Sequence, residues 1–295
     1  MSSTTVDPSD VTVVMQGPRT PLTLDAAASV RRHLPGTHLI LSTWTDTDVD
    51  DLDVDAVAFS DDPGSFVSTT IKGIAGPPIN TNRMVVSTVA GLRLVDRPYV
   101  LKLRTDSLVE HAGALRLMAQ LSPTRGEWAL FDHLVGVSSV YTRNPLKTPT
   151  GCFHPADTIQ FGHTADLLML WDVPPMPASD ADYFPDDDTR PVWSVTSQRY
   201  YPEQWLFISA LRKRYTVEFD HRAVFTSEAF EASNRSVAQN FLVAEPWQMG
   251  VRVPHLEQQL RWNEDPICVM THPIWHQLHV DATTTVRERP WVATA

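Results

Sequence analysis

The chain has 295 residues, 42% hydrophobic and 20% charged, enough for one large α/β domain or two modest ones. Its formal net charge of −11, with a sequence pI of about 5.4, argues against general affinity for nucleic acid or an anionic membrane, leaving room only for a local basic cleft. Cys152 and Cys268 are the two cysteines, too few for a disulfide framework or a metal-type cluster. Met1 to Asp10 has no basic segment followed by an apolar one, so it does not read as a secretory signal. No apolar run approaches the roughly 18 residues of a membrane span. The expected compartment is the cytosol, with peripheral attachment at the inner membrane face as the alternative.

Val11 to Met15 is a β-branched run broken by Gln16-Gly17-Pro18, hence a strand and a loop. Thr23 opens a helix to Leu34, with Asp25 near its positive end and Arg31 and Arg32 near its negative end. Strands follow at Leu39–Leu41 and Asp55–Phe59, then a Gly/Pro-rich loop. A helix is expected from about Asn82 to Val95, with Met84, Val85, Thr88, Val89 and Leu92 on one face. Tyr99 to Leu103 is the fourth strand. Further helices are expected at 108–121, 164–171, 202–215 and 227–243, and strands at 128–131, 138–141 and 158–161. Residues 172–198, rich in Pro and Asp, read as a long surface loop. Strand–helix alternation in the first half predicts a parallel sheet with helices on both faces. Its strand ends would then share one rim: Gln16-Gly17, Ser42-Thr43, Ser60-Asp61-Asp62 and Arg104-Thr105-Asp106.

Neither a GxGxxG, a GxxxxGK[ST] nor a GxSxG pattern occurs. His272, His276 and His279 stand at helical spacing but are interleaved with Pro273 and Trp275, which favours a structural cluster over a metal site. The acidic stretch 46–55 and Asp186-Asp187-Asp188 read as solvated loops. Four constellations remain. Asp106, after a strand, could bind Mg²⁺ with a ligand's phosphates, or simply pair with Arg104. Asn80-Thr81-Asn82-Arg83 could be a helix cap or an anion site. His154 and Asp157 could orient a sugar or phosphate, or be packed residues. Glu203, in the first turn of a helix, could favour the helix dipole or act as a general base.

In their order and spacing these segments resemble the WavE lipopolysaccharide-synthesis family of glycosyltransferase-like proteins. The matching stretches are Val14–Pro18, Leu39–Trp44, Ser60–Gly64, Asn80–Arg83 with Ser87-Thr88 and Gly91-Leu92, Leu101–Asp106, Phe153–Asp157 with Phe161-Gly162, and Pro202–Leu206. They cover about residues 11–215. The resemblance implies a GT-A-like, Rossmann-type fold: a mainly parallel central sheet flanked by helices, with an irregular α+β C-terminal part. No repeat or linker stands out in the chain, so one domain is expected over 11–286, between a flexible lead-in (1–10) and a loose tail (287–295); on the resemblance its halves are nucleotide-binding (11–121) and acceptor-side (122–286).

The implied activity is transfer of a sugar from a nucleotide-sugar donor to a hydroxyl of a glycan or glycolipid acceptor in surface polysaccharide or lipopolysaccharide synthesis. Gln16, Gly17 and Pro18 would lie under the nucleotide, with Trp44, Asp62 and Asn82 on the same rim. Arg83 and Arg104 would face the diphosphate. Asp106 stands where such folds carry an Asp-x-Asp metal motif, implying a divalent cation (Mg or Mn), but Arg104 replaces the first acid. Glu203-Gln204 occupies the place of a Glu-Asp pair whose second acid usually acts as base, which leaves Glu203 as the candidate base and Asp157 as the next. His154 and Asp157 would position the acceptor. Alternatives are a glycosyltransferase acting on modified DNA bases, a polyol-phosphate transferase, and a non-catalytic nucleotide- or carbohydrate-binding protein.

Overall fold

All six residues of Val11–Gln16 are buried, as expected of a strand covered on both faces of a parallel sheet. The computed structural model describes residues 5–69, 74–148, 150–184, 196–254 and 268–284. After a 3₁₀ turn at Pro8–Asp10, the first half runs β1 (Val11–Gln16), α1 (Thr23–His33), β2 (His38–Trp44), β3 (Ala56–Ser60), β4 (Phe66–Thr69), β5 (Ala75–Ile79), α2 (Thr81–Leu92) and β6 (Tyr99–Arg104). Next come β7 (Leu108–Val109), α3 (Gly113–Met118), β8 (Val135–Ser138), β9 (Gln160–His163), α4 (Thr164–Trp171) and α5 (Ala178–Ala181). The chain continues with α6 (Pro202–Leu211), α7 (Ser227–Asn240), β10 (Phe241–Ala244), α8 (Pro246–Met249), β11 (Val251–Arg252) and a helix at His272–Thr284.

Seven strands form the central sheet in the order β10-β8-β9-β6-β1-β2-β3. β1 is parallel to β2 and β6, and β2 to β3, so the four expected strands lie side by side as the alternation required. β10 and β8 are also parallel; β9 alone runs against its neighbours β6 and β8. The result is a Rossmann-like α/β fold. α2 covers β1 and β2 with Val85, Val89 and Leu92. Gly91 allows the close approach, because a Cβ there would stand 2.6 Å from Val14 Cγ1.

Several local expectations give way to tertiary partners. The Gly/Pro-rich loop after β3 contains an antiparallel hairpin, β4 with β5. The helix expected at 108–121 is instead β7, paired with the distant β11, followed by the short α3. Residues 128–131 form no strand: the N–H groups of Trp128 and Leu130 donate to the side chains of Gln239 and Asn240. The strand expected at 138–141 ends at Ser138. The helix expected to reach 243 stops at Asn240, and the apolar Phe241–Ala244 joins the sheet. Within 172–198, Ala178–Ala181 is helical; residues 185–195, including Asp186–Asp188, lie outside the described residues, as does the tail 287–295. The histidine cluster is structurally engaged. His272 Nδ1 is 2.7 Å from the Val243 carbonyl, His279 Nδ1 is 2.7 Å from that of Ala238, and Trp275 stacks on His279. No helix among the described residues is long and apolar enough to cross a membrane.

Candidate active site

From β1 the chain steps outward to β2 and β3, then returns through α2 to β6 on the other side of β1. Open α/β sheets bind ligands in the crevice that such a reversal leaves at the C-terminal strand ends. A cleft of about 470 Å³ lies there, lined by Gln16, Gly17, Pro18, Trp44, Asp62 and Arg83, together with Arg104, Thr105, Asn80, Met84 and Thr20. In-register pairing brings Gln16 beside both Ser42 and Arg104. Gly17 has a φ of 130°, which favours glycine, and its N–H donates to the Ser42 carbonyl at 3.0 Å. The Thr105 hydroxyl locks the turn by donating to the Pro18 carbonyl at 2.7 Å.

Two arginines face this cleft, each held bidentately by a carboxylate. Arg83 Nε and Nη2 donate to Asp62 at 2.7 and 2.6 Å. Those bonds raise the arginine's pKa and lower that of Asp62. Arg104 Nε and Nη2 donate to Asp106, both at 3.0 Å. α2 begins beside Arg83 with no side-chain cap on its N-terminus; the Asn80 side-chain oxygen accepts from Arg83 Nη1 instead, at 3.1 Å. Free N–H groups at a helix start, together with guanidinium groups, make an anion site. Asn82 is not part of the lining. Its side chain clasps the Met176 backbone, accepting from N–H at 2.7 Å and donating to the carbonyl at 3.0 Å, so its role is to hold α2 against the chain after α4.

Lys102, His154, Asp157 and Glu203 form a second group around the same strand. Lys102 lies two positions before Arg104 on β6 and is 1% exposed. Its Nζ donates to the Asp157 carbonyl at 2.6 Å and sits 4.7 Å over the Trp171 ring. Burial pulls its pKa down to about 8. His154 and Asp157 are buried in the loop before β9. His154 Nε2 is 3.6 Å from Glu203 Oε2 at the start of α6, and its Nδ1 is 3.0 Å from the Tyr141 carbonyl. A carbonyl can only accept, so Nδ1 carries the proton and Nε2 offers its lone pair to Glu203. Burial, with Arg143 adding to it, drives the His154 pKa to about 3, so the ring is neutral. Burial, and then the negative charge of Asp157, push Glu203 up to about 8.

Gln204 is fully buried. It accepts from the Tyr201 N–H at 3.0 Å and donates to the carbonyls of Thr150 and Cys152 at 3.1 and 2.8 Å. An amide suits this post because it can donate and accept at once. Gln204 therefore anchors the His154 loop and is not a proton acceptor. Tyr141 and Phe153 adopt left-handed backbone conformations, with φ of 71° and 53°. Such conformations persist where the surroundings impose them, often at functional sites; here they bracket the residues that hold His154.

A divalent cation on Asp106 was the expectation from the resemblance, and the donor set fits it poorly. Arg104 covers both carboxylate oxygens, and a cation placed there would face a guanidinium. Among the described residues no three His, Cys, Asp or Glu side chains gather into a metal-binding group. Sequence reasoning passed over Lys102, Arg143 and Tyr141. For Lys102 a signal existed, since a lysine inside the apolar run Val100–Leu103 needs a buried partner. Arg143 and Tyr141 sit in an irregular stretch with no periodicity to mark them.

A search of curated proteins returns no match to the chain. The family model described as WavE lipopolysaccharide synthesis matches residues 11–290, extending the resemblance well past residue 215. The cleft, the buried carboxyl group and the segments that build them all fall within that span, and the chain belongs to the WavE lipopolysaccharide synthesis family.

Proposed function

We propose that the protein is a glycosyltransferase that moves a sugar from a nucleotide-sugar donor to a hydroxyl of a glycan or glycolipid acceptor in lipopolysaccharide synthesis. One observation carries this reading: a two-arginine anion cleft at the reversal of strand order ends on Arg104 of β6, and Lys102, two positions earlier on that strand, interacts with both Arg104 and the Glu203 carboxyl of raised pKa at the start of α6. Departure of a nucleoside diphosphate develops negative charge. Arg83, Arg104 and the α2 N-terminus would stabilise it through preorganised donors. Asp62 keeps the Arg83 guanidinium oriented until phosphate takes its place, and Asp106 keeps hold of Arg104.

Glu203 would accept the proton of the attacking hydroxyl. Its raised pKa makes it a stronger base than an ordinary carboxylate once ionised. In the protonated resting state the Glu203 hydroxyl would face the Nε2 lone pair of neutral His154, and Asp157 would hold acceptor hydroxyls. This assignment routes no step through a metal ion. A divalent cation, if recruited, would have to arrive with the diphosphate and displace Arg104 from Asp106.

The test is a panel of nucleotide sugars supplied with lipopolysaccharide core acceptors, with free nucleoside diphosphate as the readout. Acceptor-dependent release from one donor supports the reading. Tight nucleotide binding with no turnover of any donor would instead identify a binding protein on the same fold.

A further inference from the structure

A second cavity, also of about 470 Å³, lies between α7 and the chain that follows α6 and shares no residue with the donor cleft. Its floor is apolar, with Phe153, Val217 and Ala229 buried. Trp128 stands half-buried on its wall, its ring 5.3 Å from that of Tyr215. Around this floor stand four carboxylates, Glu127, Glu218, Glu228 and Glu231, against a single guanidinium, Arg235. Arg235 is engaged by Glu127 at 2.7 Å and Glu231 at 3.0 Å. Glu218 and Glu228 have no hydrogen-bond or ion-pair partner among the described residues.

We infer that this cavity is a saccharide subsite, taking a neutral or amino-sugar unit that carries no anionic group. An indole face matches the C–H side of a pyranose ring, and carboxylates accept hydrogen bonds from its hydroxyls. The volume falls within the usual range for small-ligand pockets. Four carboxylates against one arginine repel phosphorylated or uronic rings and favour an ammonium-bearing one. The cavity also meets the catalytic loop: Phe153 lines it and precedes His154 directly, and the Phe153 N–H donates to Ser233 of α7 at 2.7 Å. That the bound unit belongs to the acceptor glycan rests on the transferase reading; that the cavity binds sugar does not.

The test is calorimetric titration of the full chain, without donor, using N-acetylglucosamine, glucosamine and galacturonate oligomers. Saturable binding of the first two and none of the third is expected. Trp128→Ala should weaken binding at least tenfold. Glu218→Lys, at an exposed rim position with no packing to lose, should weaken the glucosamine oligomer at least tenfold and admit galacturonate. The inference is overturned if neither neutral nor amino oligomers bind, if galacturonate binds the unaltered protein equally well, or if both variants bind as the parent does. Nucleoside diphosphate titrated into the same protein separates the two readings. Sugar binding without nucleotide binding keeps this inference and sinks the transferase reading, whereas the reverse pattern does the opposite.

Discussion

The cleft lined by Arg83 and Arg104 and the group around Lys102, His154 and Glu203 use ionisable side chains in opposite ways. In the cleft, Arg83–Asp62 is a half-exposed pair and Arg104–Asp106 joins a half-exposed guanidinium to a buried carboxylate, and the members of each pair satisfy each other. An exposed pair such as Arg83–Asp62 is worth about 0–1 kcal/mol, so on the proposed reading an incoming phosphate takes over Arg83 at little cost. Around Lys102, His154 and Glu203 the charges are removed from water, and all three groups are moved far from their ordinary pKa values. On the proposed reading the difference teaches a division of labour: exchangeable charge where a ligand would enter and leave, tuned charge where a proton would move.

The sharpest break in that comparison is Glu203→Gln. If Glu203 is the base, the variant should lose transfer by about 10²–10⁴-fold while binding nucleoside diphosphate as before. In the parent enzyme the transfer rate should climb with pH through about 8, where Glu203 ionises. Stability supplies an independent check. The folded state holds the Glu203 proton up to about 8, whereas the unfolded chain releases it near 4.3. The folded state therefore binds more protons across that window, and this group's contribution to stability falls as pH rises through it. Each unit of displacement is worth about 1.4 kcal/mol, so from near parity at pH 4 Glu203→Gln should gain on the parent by up to about 5 kcal/mol at pH 9. Urea unfolding at the two pH values measures this. Equal offsets at both would show that Glu203 is not held protonated.

Next in size is Arg83→Ala. Loss of a charge-assisted contact costs about 1.5–3 kcal/mol, or roughly 10–150-fold in affinity for a nucleoside diphosphate. Affinity for the bare nucleoside should not change. Calorimetry that showed equal losses for both ligands would make Arg83 structural.

Asn82→Ala tests the other side of the comparison, the residue that stands outside the cleft. It leaves the Met176 backbone without its clasp and should lower stability by about 1–3 kcal/mol, with nucleotide affinity unchanged. A selective loss of nucleotide binding would return Asn82 to the donor site. The smallest effect is expected from chelation. With Asp106 covered by Arg104, adding EDTA should alter nucleoside diphosphate affinity by less than about twofold, well under one kcal/mol by the arithmetic of binding. A strong Mn²⁺ dependence that Asp106→Asn abolishes would restore the metal.

The first half was legible in sequence because it is built from consecutive segments whose strands end in polar turns. Val11–Gln16, His38–Trp44, Ala56–Ser60 and Tyr99–Arg104 each switch from apolar to polar where the parallel sheet ends. Parallel pairing then gathers Gln16, Trp44 and Arg104, with Asp62 just past the end of β3, while Arg83 arrives on α2 and is held by Asp62. The irregular half was less legible because its partners are remote. Phe241–Ala244 is apolar enough for either helix or strand and becomes β10 only because β8 presents a free edge. Val109 pairs with Val251 across 142 residues of chain, which no local periodicity can report.

By itself the sequence determined the Rossmann-like class, the rim of strand ends and the identity of the ionisable groups, since these follow from hydrophobic pattern and composition. Only the tertiary structure decided what those groups are. Burial made Glu203 a carboxyl of raised pKa and His154 a neutral ring. It also brought Lys102 onto the Asp157 carbonyl, sent Gln204 to anchor the His154 loop and turned Asn82 away to Met176. A pKa and a hydrogen-bond partner depend on which distant atoms exclude water and supply charge, and those distances exist only after the chain has folded.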